Sequence, residues 1–238
     1  MQQQRRVRQT ATVLVYEQLK AEILAGRFVP GQRLKVQELC EGRNVNVNAM
    51  REALSRLAGE GLAEVRPRQG FAVISVSPER VTDLTSVRVE LERVLIRWSI
   101  ARGDTAWEAG VVAAHHTLAS TPLIDPADSE RINDEWLKAH AAFHAALLAG
   151  SGSPKGCGIA ANLTDIADVY RRWSMLRGPQ DRDIAEEHRE LMEAAVTRDA
   201  ELAAYLLSRH YKRTAEILLK AMESAGDAEQ GRDDRGVA

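Results

Sequence analysis

Four histidines in the second half of the sequence have the spacing expected of a metal site between helices. His140 and His144 are four residues apart, so both imidazoles fall on one face of a predicted helix. That face is apolar, and so are the faces that carry His188 and His210 on two later predicted helices. Neutral imidazoles are costly to bury without partners, and a shared divalent ion gives each of them one. The pattern predicts a metal centre formed by His140, His144, His188 and His210.

The ligand type narrows the choice of ion. Four imidazoles carry no charge, which favours Zn²⁺, with Ni²⁺ or Co²⁺ possible, over Mn²⁺. The ion could instead be purely structural, or a metal-bound water could make the protein a hydrolase. The absence of a clear general base beside the site argues against an enzyme. Glu187 is next to His188 in the sequence, but neighbouring side chains on a helix point about 100° apart. His115 and His116 are adjacent, face different ways, and are expected to be surface or internally satisfied residues.

Six predicted amphipathic helices must position these histidines. They span roughly 79–102, 104–119, 128–149, 157–177, 181–197 and 199–222. Glycine, proline and aspartate break the pattern between them, at 103–104, 120–126, 150–154, 178–179 and 198–199. No segment of this half alternates like a strand. The sequence therefore predicts an antiparallel six-helix bundle.

The first half predicts a different domain. Helices are expected over 12–26 and 35–43, and a third helix follows an N-cap at Asn46. Two short strands come next, joined by the basic turn Arg-Pro-Arg-Gln-Gly at 66–70. This order is that of a winged helix-turn-helix, in which one helix enters the major groove and the hairpin contacts phosphates or the minor groove.

The net charge of −2 conceals a split between the two halves. Residues 1–77 carry 12 Lys/Arg against 7 Asp/Glu, a net charge of +5, whereas residues 78–238 carry 20 against 27, a net charge of −7. The basic half is the candidate for nucleic-acid binding. Two cysteines are too few for a disulfide framework, and no apolar run has the length of a membrane span. We expect a cytoplasmic protein without a membrane segment.

The first half resembles the GntR family of bacterial transcription regulators. The resemblance is carried by VYEQLKAEILAGRFVPGQRL at 15–34 and MREALSRLAGEGLAEVRPRQGF at 50–71. It implies that Arg51 contacts base edges near the start of the recognition helix and that Gly70 forms the tip of the wing. An arginine can hold guanine N7 and O6 together, which is worth about 1–3 kcal/mol of discrimination. The residues expected to contact DNA are Asn46, Asn48, Arg51, Arg66, Arg68, Gln69 and Gly70.

The chain departs from that family at several DNA-facing positions. The family commonly has Ser-Arg-Thr-Pro before Arg51, where this chain has Asn-Val-Asn-Ala at 46–49. Val47 and Gln37 each replace a cation, so we expect a changed operator and a shallower dependence of binding on salt. Asn48 can pair with adenine. Two interpretations are open for Arg5, Arg6 and Arg8 near the N-terminus. They either contact a minor groove of the DNA or belong to a solvated, disordered segment.

The second half resembles the FCD effector domain, which follows the DNA-binding domain in one branch of that family. The resemblance rests on H-x-x-x-H at 140–144, the pair Glu187-His188, and His210. It implies a metal bound by one aspartate and three histidines, and His140 occupies the place of the aspartate. Either His140 binds and the site is all-nitrogen, or one ligand is missing. Six helices rather than seven are typical of the VanR-type subgroup.

The same resemblance implies an effector and an assembly. The effector is typically a small organic or aromatic acid held by the metal and by cavity arginines, for which Arg88 and Arg172 are the candidates. Each is otherwise an ordinary exposed helix arginine. The apolar helix around Val87 and Val94 is either core or a surface that pairs two protomers.

These inferences combine into a homodimeric, ligand-responsive regulator, expected to be a repressor, on a palindromic DNA operator. The expected domains are a winged helix-turn-helix at 1–77, an all-helical effector-binding and dimerisation domain at 78–225, and a disordered tail at 226–238.

Overall fold

The computed structural model describes residues 2–174 and 182–233, with side chains described over 11–129, 131–173 and 182–224. It forms two compact units. The first comprises Met1–Val76 and Asp168–Trp173, and the second comprises Ser77–Ala167 and Ser174–Ala238. Within the described residues, no helix has both the length and the apolar character needed to cross a membrane.

The first unit contains three helices and a small sheet. Its elements are α1 (Gln2–Leu24), β1 (Arg33–Leu34), α2 (Val36–Cys40), α3 (Val47–Gly59), β2 (Ala63–Arg66) and β3 (Gly70–Val73). The antiparallel sheet has the order β1-β3-β2, and Arg66 faces Gly70 at the end of the β2–β3 hairpin. This arrangement confirms the predicted winged helix-turn-helix and adds β1, which the sequence did not predict.

Local sequence fixes the start of α3 and the turn of the hairpin. The side chain of Asn46 accepts a hydrogen bond from the Ala49 amide at 2.9 Å, which is the predicted N-cap. In the turn, Arg68 and Gly70 both have a positive φ, of 62° and 85°. A positive φ is strained for arginine and easy for glycine, so the hairpin depends on Gly70 to close.

α1 and α3 form the core of the first unit. Tyr16, Leu19 and Ile23 of α1 are buried, as are Met50 and Leu54 of α3. The hydroxyl of Tyr16 donates to the two carboxylate oxygens of Glu60, at 2.6 and 2.8 Å. This hydrogen bond ties α1 to the residue that follows α3, and so helps to fix the helix that would enter the major groove.

In its described residues, the second unit is the predicted bundle of six helices. Its elements are α4 (Pro78–Arg102), α5 (Thr105–Ser120), β4 (Ile124–Asp125), β5 (Asp128–Ile132), α6 (Asp134–Ala149), α7 (Pro154–Ser174), α8 (Ile184–Val196) and α9 (Ala200–Asp233). α4 packs on α9, α5 packs on α6 and α8, and α8 packs on α9. The described core includes Leu95, Ile96, Phe143, Leu147 and Leu191.

The β4–β5 hairpin shows that the prediction of no strand in this half was wrong. The predicted helix 128–149 does not begin at 128, because residues 128–132 pair with 124–125, and Ile124 lies opposite Ile132. The helix begins at Asp134 instead, because Asn133 caps it by accepting a hydrogen bond from the Glu135 amide.

Both ends of the chain are more helical than the sequence analysis expected. α1 begins at Gln2, where disorder was predicted, and α9 continues to Asp233, beyond the predicted start of the tail at 226. Glutamine and arginine make up almost all of residues 2–9, and alanine, glutamate and glutamine occur together at 228–230, and all of these are good helix formers. The predicted break at 178–179 and the last five residues lie outside the described part of the chain.

Candidate metal centre

Histidines from three helices converge in one buried cluster. His140 and His144 lie on α6, His188 lies on α8 and His210 lies on α9, and each is at most 4% exposed. One ring nitrogen from each histidine lies within 4.8 Å of those from the other three. The structure therefore brings together the four residues that the sequence analysis singled out.

Aromatic rings surround the cluster. The ring centroids of His140 and His144 are 4.5 Å apart, as expected of neighbours one turn apart on α6. Trp136 stacks on His140 at 4.8 Å, and Phe143 contacts both His144 and His188 edge-on. These aromatic side chains line part of the cluster, and neutral imidazole is the form of histidine that binds a metal.

A hydrogen-bonded chain holds the ring of His144. The hydroxyl of Tyr211 lies 3.0 Å from Nδ1 of His144 and donates to Oε2 of Glu92 at 2.5 Å. A hydroxyl has a single proton, so the oxygen of Tyr211 accepts from Nδ1–H of His144. This leaves the buried Nε2 of His144 as the nitrogen that can ligate a metal.

Arg88 lies behind that chain. Its Nε donates to Oε1 of Glu92 at 3.0 Å and its Nη2 donates to Thr164 at 3.2 Å, while the guanidinium lies 4.1 Å from the centre of the Tyr211 ring. Arg88 is buried, so it is not the exposed helix arginine of the alternative interpretation. Its contacts assign it to the support of Glu92 and, through Tyr211, of His144.

Glu187 supports His210 in a similar way. Its Oε2 lies 2.9 Å from Nδ1 of His210, and its Oε1 accepts hydrogen bonds from Arg182 at 2.9 Å and Arg213 at 2.8 Å. The expectation that Glu187 points away from His188 did not consider His210, which Glu187 contacts. Glu187 does point away from its neighbour His188, but it is directed across the α8–α9 interface toward His210.

The donor set fits a divalent late first-row ion. Four neutral imidazoles can form a tetrahedral site of the kind that Zn²⁺ prefers. At His144 the Nδ1 atom is engaged by Tyr211, which orients the ring and leaves Nε2 toward the cluster; at His210 both Glu187 and Arg182 lie 2.9 Å from Nδ1, and a bond to Glu187 leaves Nε2 able to ligate. An all-histidine ligand set carries no negative charge. Two buried carboxylates next to the ligands, Glu92 and Glu187, supply that charge.

A cavity of about 400 Å³ adjoins the cluster, with His188 and Trp136 in its wall. Leu118, Leu123 and Ile184 give it an apolar lining, and Arg182 is its cationic residue. Burial lowers the pKa of His115, which also lines the cavity, below its usual 6.5. The volume is within the range of small-molecule sites. Sequence reasoning missed Arg182 because it placed this residue in the first turn of the predicted helix 181–197, whereas α8 begins only at Ile184.

Arg172, the second candidate effector arginine, lies elsewhere. It belongs to the first unit, where its Nε donates to the backbone carbonyl of Leu24 at 2.9 Å. It is half-buried and does not line the cavity described above. Arg88 is not part of that lining either.

The residues expected to contact DNA are mostly exposed. Asn46, Asn48 and Arg51 lie at the start of α3 with exposed side chains, although Asn46 is also the N-cap. The cation-replacing residues Val47 and Gln37 are exposed as well. These exposed residues therefore offer three amides, from Gln37, Asn46 and Asn48, and one guanidinium, from Arg51.

The wing presents a second group of polar side chains. Arg68, Gln69 and Gly70 are exposed in the hairpin turn. Arg66 is half-buried and pairs with Glu64, through contacts of 2.7 and 2.9 Å. Contact between Arg66 and a phosphate therefore competes with this ion pair. Arg5, Arg6 and Arg8 lie in α1, and their side chains are outside the described part of the chain.

Comparison with known proteins agrees with this architecture. Residues 12–73 match the family described as bacterial regulatory proteins, gntR family, and residues 83–213 match the FCD domain. The HTH-type transcriptional repressor GlaR of Escherichia coli strain K12 is 34% identical over 211 residues, covering 87% of this chain and 95% of GlaR. The uncharacterized HTH-type transcriptional regulator BphR of Paraburkholderia xenovorans strain LB400 is 30% identical, covering 85% of this chain and 83% of BphR.

Solved structures show the same fold. McbR/YncC of E. coli superposes with a TM-score of 0.72 at 21% identity, covering 88% of this chain and 97% of that one. A putative GntR transcriptional regulator from Rhodococcus sp. RHA1 gives a TM-score of 0.72 at 22% identity, covering 89% and 99%. Together with the family matches and the full-length relatives, these likenesses show that the chain is a transcription regulator of the GntR family with an FCD domain in its C-terminal part.

Proposed function

We propose that this regulator is a ligand-responsive, DNA-binding repressor that senses a small organic or aromatic acid at a metal held by its FCD domain. The observation that carries the proposal is the buried convergence of His140, His144, His188 and His210 beside a cavity of about 400 Å³. The relative GlaR is named a repressor, and we extend that role to this chain. Because its proposed operator is on the chromosome, the regulator is proposed to act in the cytoplasm.

The proposed metal is Zn²⁺, with Ni²⁺ as the second choice. All four proposed ligands are imidazoles, and His140 takes part as the fourth, which makes the site all-nitrogen. When bound, the ion supplies a Lewis acid to which a carboxylate can bind. His188 belongs to both the cluster and the cavity wall, so a ligand in the cavity is next to the metal.

The proposed DNA contacts lie on α3 and on the wing. Arg51 is exposed on α3 and is assigned to guanine, while Asn48 is assigned to adenine. Asn46 is assigned to the DNA backbone next to these two bases. Arg66, Arg68, Gln69 and Gly70 make the wing contacts with phosphate or the minor groove.

An exposed apolar patch supports a homodimer. Val87, Val94 and Trp98 project from α4, and Leu202 and Tyr205 project from α9, each at least 40% exposed. α4 packs on α9, and Arg97 binds Glu201 between them through two contacts of 2.7 Å. A patch of this kind on a two-fold axis would pair two copies and match a palindromic operator. Sedimentation of the full chain as a monomer at micromolar concentration would contradict the dimer.

The direct test is DNA binding to the region upstream of the protein's own gene. We expect a specific complex at low salt with the metal-loaded protein, and a several-fold change in affinity on adding an acid effector. A panel of aromatic and short aliphatic acids supplies the candidates. Absence of any specific complex, with and without metal, would refute the proposal. Unchanged affinity with every acid would reduce it to a regulator with a structural metal.

A further inference from the structure

Arg182 contacts the histidine cluster and the cavity at the same time. Its Nε donates to Oε1 of Glu187 at 2.9 Å, its Nη2 donates to Oε2 of the same carboxylate, and its Nη1 donates to Thr214 at 2.8 Å. Nη2 also lies 2.9 Å from Nδ1 of His210. The side chain is 4% exposed, and it lines the cavity that contains His188.

Two groups compete for Nδ1 of His210. Both Nη2 of Arg182 and Oε2 of Glu187 lie 2.9 Å from it. A guanidinium only donates, so a bond from Arg182 makes Nδ1 an acceptor and puts the ring proton of neutral His210 on Nε2. A bond to Glu187 puts the proton on Nδ1 and leaves Nε2 with a lone pair. Only the second arrangement allows Nε2 of His210 to ligate a metal.

We propose that Arg182 is the positioning residue that couples an anion in the cavity to the metal centre. An anion draws the guanidinium away from His210, so that Glu187 alone bonds Nδ1 and Nε2 becomes a ligand. A bound dication repels the guanidinium of Arg182 away from His210, which makes the guanidinium available to bind the anion in the cavity. Metal and anion thus strengthen each other's binding. This inference rests on the proposed function, because it requires the metal centre.

The cavity also defines the class of the anion. Leu118, Leu123, Trp136 and Ile184 supply apolar lining, and among the described residues of the lining Arg182 supplies the guanidinium. Asp183 lines the cavity as well, but its side chain accepts from the Glu186 amide at 2.9 Å and caps α8. The fitting ligand is a carboxylate with a compact apolar body. Benzoate is a suitable probe, and benzamide is its neutral counterpart.

The test measures coupling in the full-length protein. Zn²⁺ affinity is determined by chelator competition with and without saturating benzoate, and benzoate affinity with and without Zn²⁺. We expect each ligand to tighten the other about tenfold, by the same factor in both directions, and benzamide to have no effect. In Arg182→Gln the factor falls to about one. Arg209→Gln removes an arginine that pairs with Glu190 in the same bundle, and it keeps the wild-type factor.

A second readout follows the ring proton directly. Nitrogen NMR of the imidazoles in the metal-free protein is expected to show benzoate moving the proton of His210 from Nε2 to Nδ1. Arg182→Lys keeps the positive charge but loses the planar guanidinium, which donates to several partners at once. We expect a coupling factor below the wild-type value for this variant. If the wild-type protein binds Zn²⁺ but its coupling factor is one, this inference is overturned and the proposed function remains intact. The same conclusion follows if Arg182→Gln keeps the wild-type coupling factor. A protein that takes up no metal overturns both.

Discussion

The hydroxyl of Tyr211 on α9 lies 3.0 Å from Nδ1 of His144 on α6. It donates its proton to Glu92, so it accepts from the histidine and fixes which ring nitrogen carries hydrogen. Arg88 in turn binds Glu92 at 3.0 Å. Three helices thus contribute a buried chain whose function is to present Nε2 of His144 to the cluster.

Replacing Tyr211→Phe removes that acceptor while keeping the ring. We expect metal affinity to fall about 10-fold or more, because groups that orient a ligating histidine typically contribute that much. Chelator competition with Zn²⁺ measures the change. Tyr205→Phe is the matched control, since Tyr205 lies on the same helix and is 61% exposed. Equal affinities for wild type and Tyr211→Phe would show that Tyr211 does not support a ligand.

Sequence periodicity identified the histidine cluster because each histidine shares a helical phase with buried apolar residues. Local backbone chemistry located the Asn46 cap, whereas the wing glycine, Gly70, came from the resemblance to the GntR family and has the positive φ that such a turn requires. Sequence periodicity did not find Glu92, because a glutamate between arginines on a helix has the pattern of a surface residue. Its burial arises only from the packing of α4 on α9, which a single sequence does not display.

The β4–β5 hairpin and Arg182 were missed for a related reason. Asp-Ser-Glu-Arg-Ile at 128–132 is polar and does not resemble a strand, and only the pairing with 124–125 makes it one. Arg182 falls within the predicted helix 181–197 but precedes the observed start of α8 at Ile184, so helical periodicity does not indicate where its side chain points. Its role depends on Glu187 and His210, which come near it through the packing of α8 on α9.

His140→Ala tests whether His140 is a ligand. We expect Zn²⁺ affinity to fall more than 10-fold, because a four-coordinate site loses one donor. His116→Ala, an exposed histidine on α5, is the control and should bind as the wild type does. His140→Asp introduces a hard oxygen donor and is expected to shift metal preference toward Mn²⁺. If His140→Ala retains wild-type affinity, the site has three histidine ligands at most.

Arg51→Ala tests the assigned base contact. The loss of a bidentate contact to guanine is expected to cost about 1–3 kcal/mol on the operator and to relax specificity at one base pair. Fluorescence anisotropy with operator and scrambled DNA measures both affinities. Arg189→Ala removes an equal charge from an exposed position on α8 and should leave operator binding unchanged. An equal loss on operator and scrambled DNA would reassign Arg51 to the phosphates.

Val47→Arg restores a cation to the first turn of α3, where the present side chain is 39% exposed. Each added phosphate contact increases the magnitude of the slope of log K against log salt by about 0.9. We therefore expect a steeper salt dependence by roughly this amount, measured over a range of salt concentrations. Val47→Gln, of similar length but uncharged, is the control. No change in slope would mean that this turn does not approach a phosphate.

Glu60→Gln tests the link between α1 and α3. Burial alone raises the pKa of Glu60, but hydrogen bonds from Tyr16 and Lys20 outweigh it and hold the pKa below 4.5. A lowered pKa stabilises the fold above the unfolded value near 4.5, and this stability is lost as pH falls through the folded pKa. We expect Glu60→Gln to cost about 1 kcal/mol at pH 7 and progressively less in acid.

Denaturant unfolding at pH 7 and at pH 4 gives the two free energies for Glu60→Gln. Glu17→Gln, on the outer face of α1, is the comparison. If the cost of Glu60→Gln is the same at both values of pH, the charge of Glu60 makes no contribution to stability.

Metal analysis of the purified full-length protein tests the central claim most directly. Inductively coupled plasma mass spectrometry, after incubation with Zn²⁺ and removal of excess ion, should find one divalent ion per chain. His144→Ala, which removes a ligand from the centre of the cluster, should retain far less. A wild-type protein that emerges free of metal, and that takes up neither Zn²⁺, Ni²⁺ nor Co²⁺, would contradict the account.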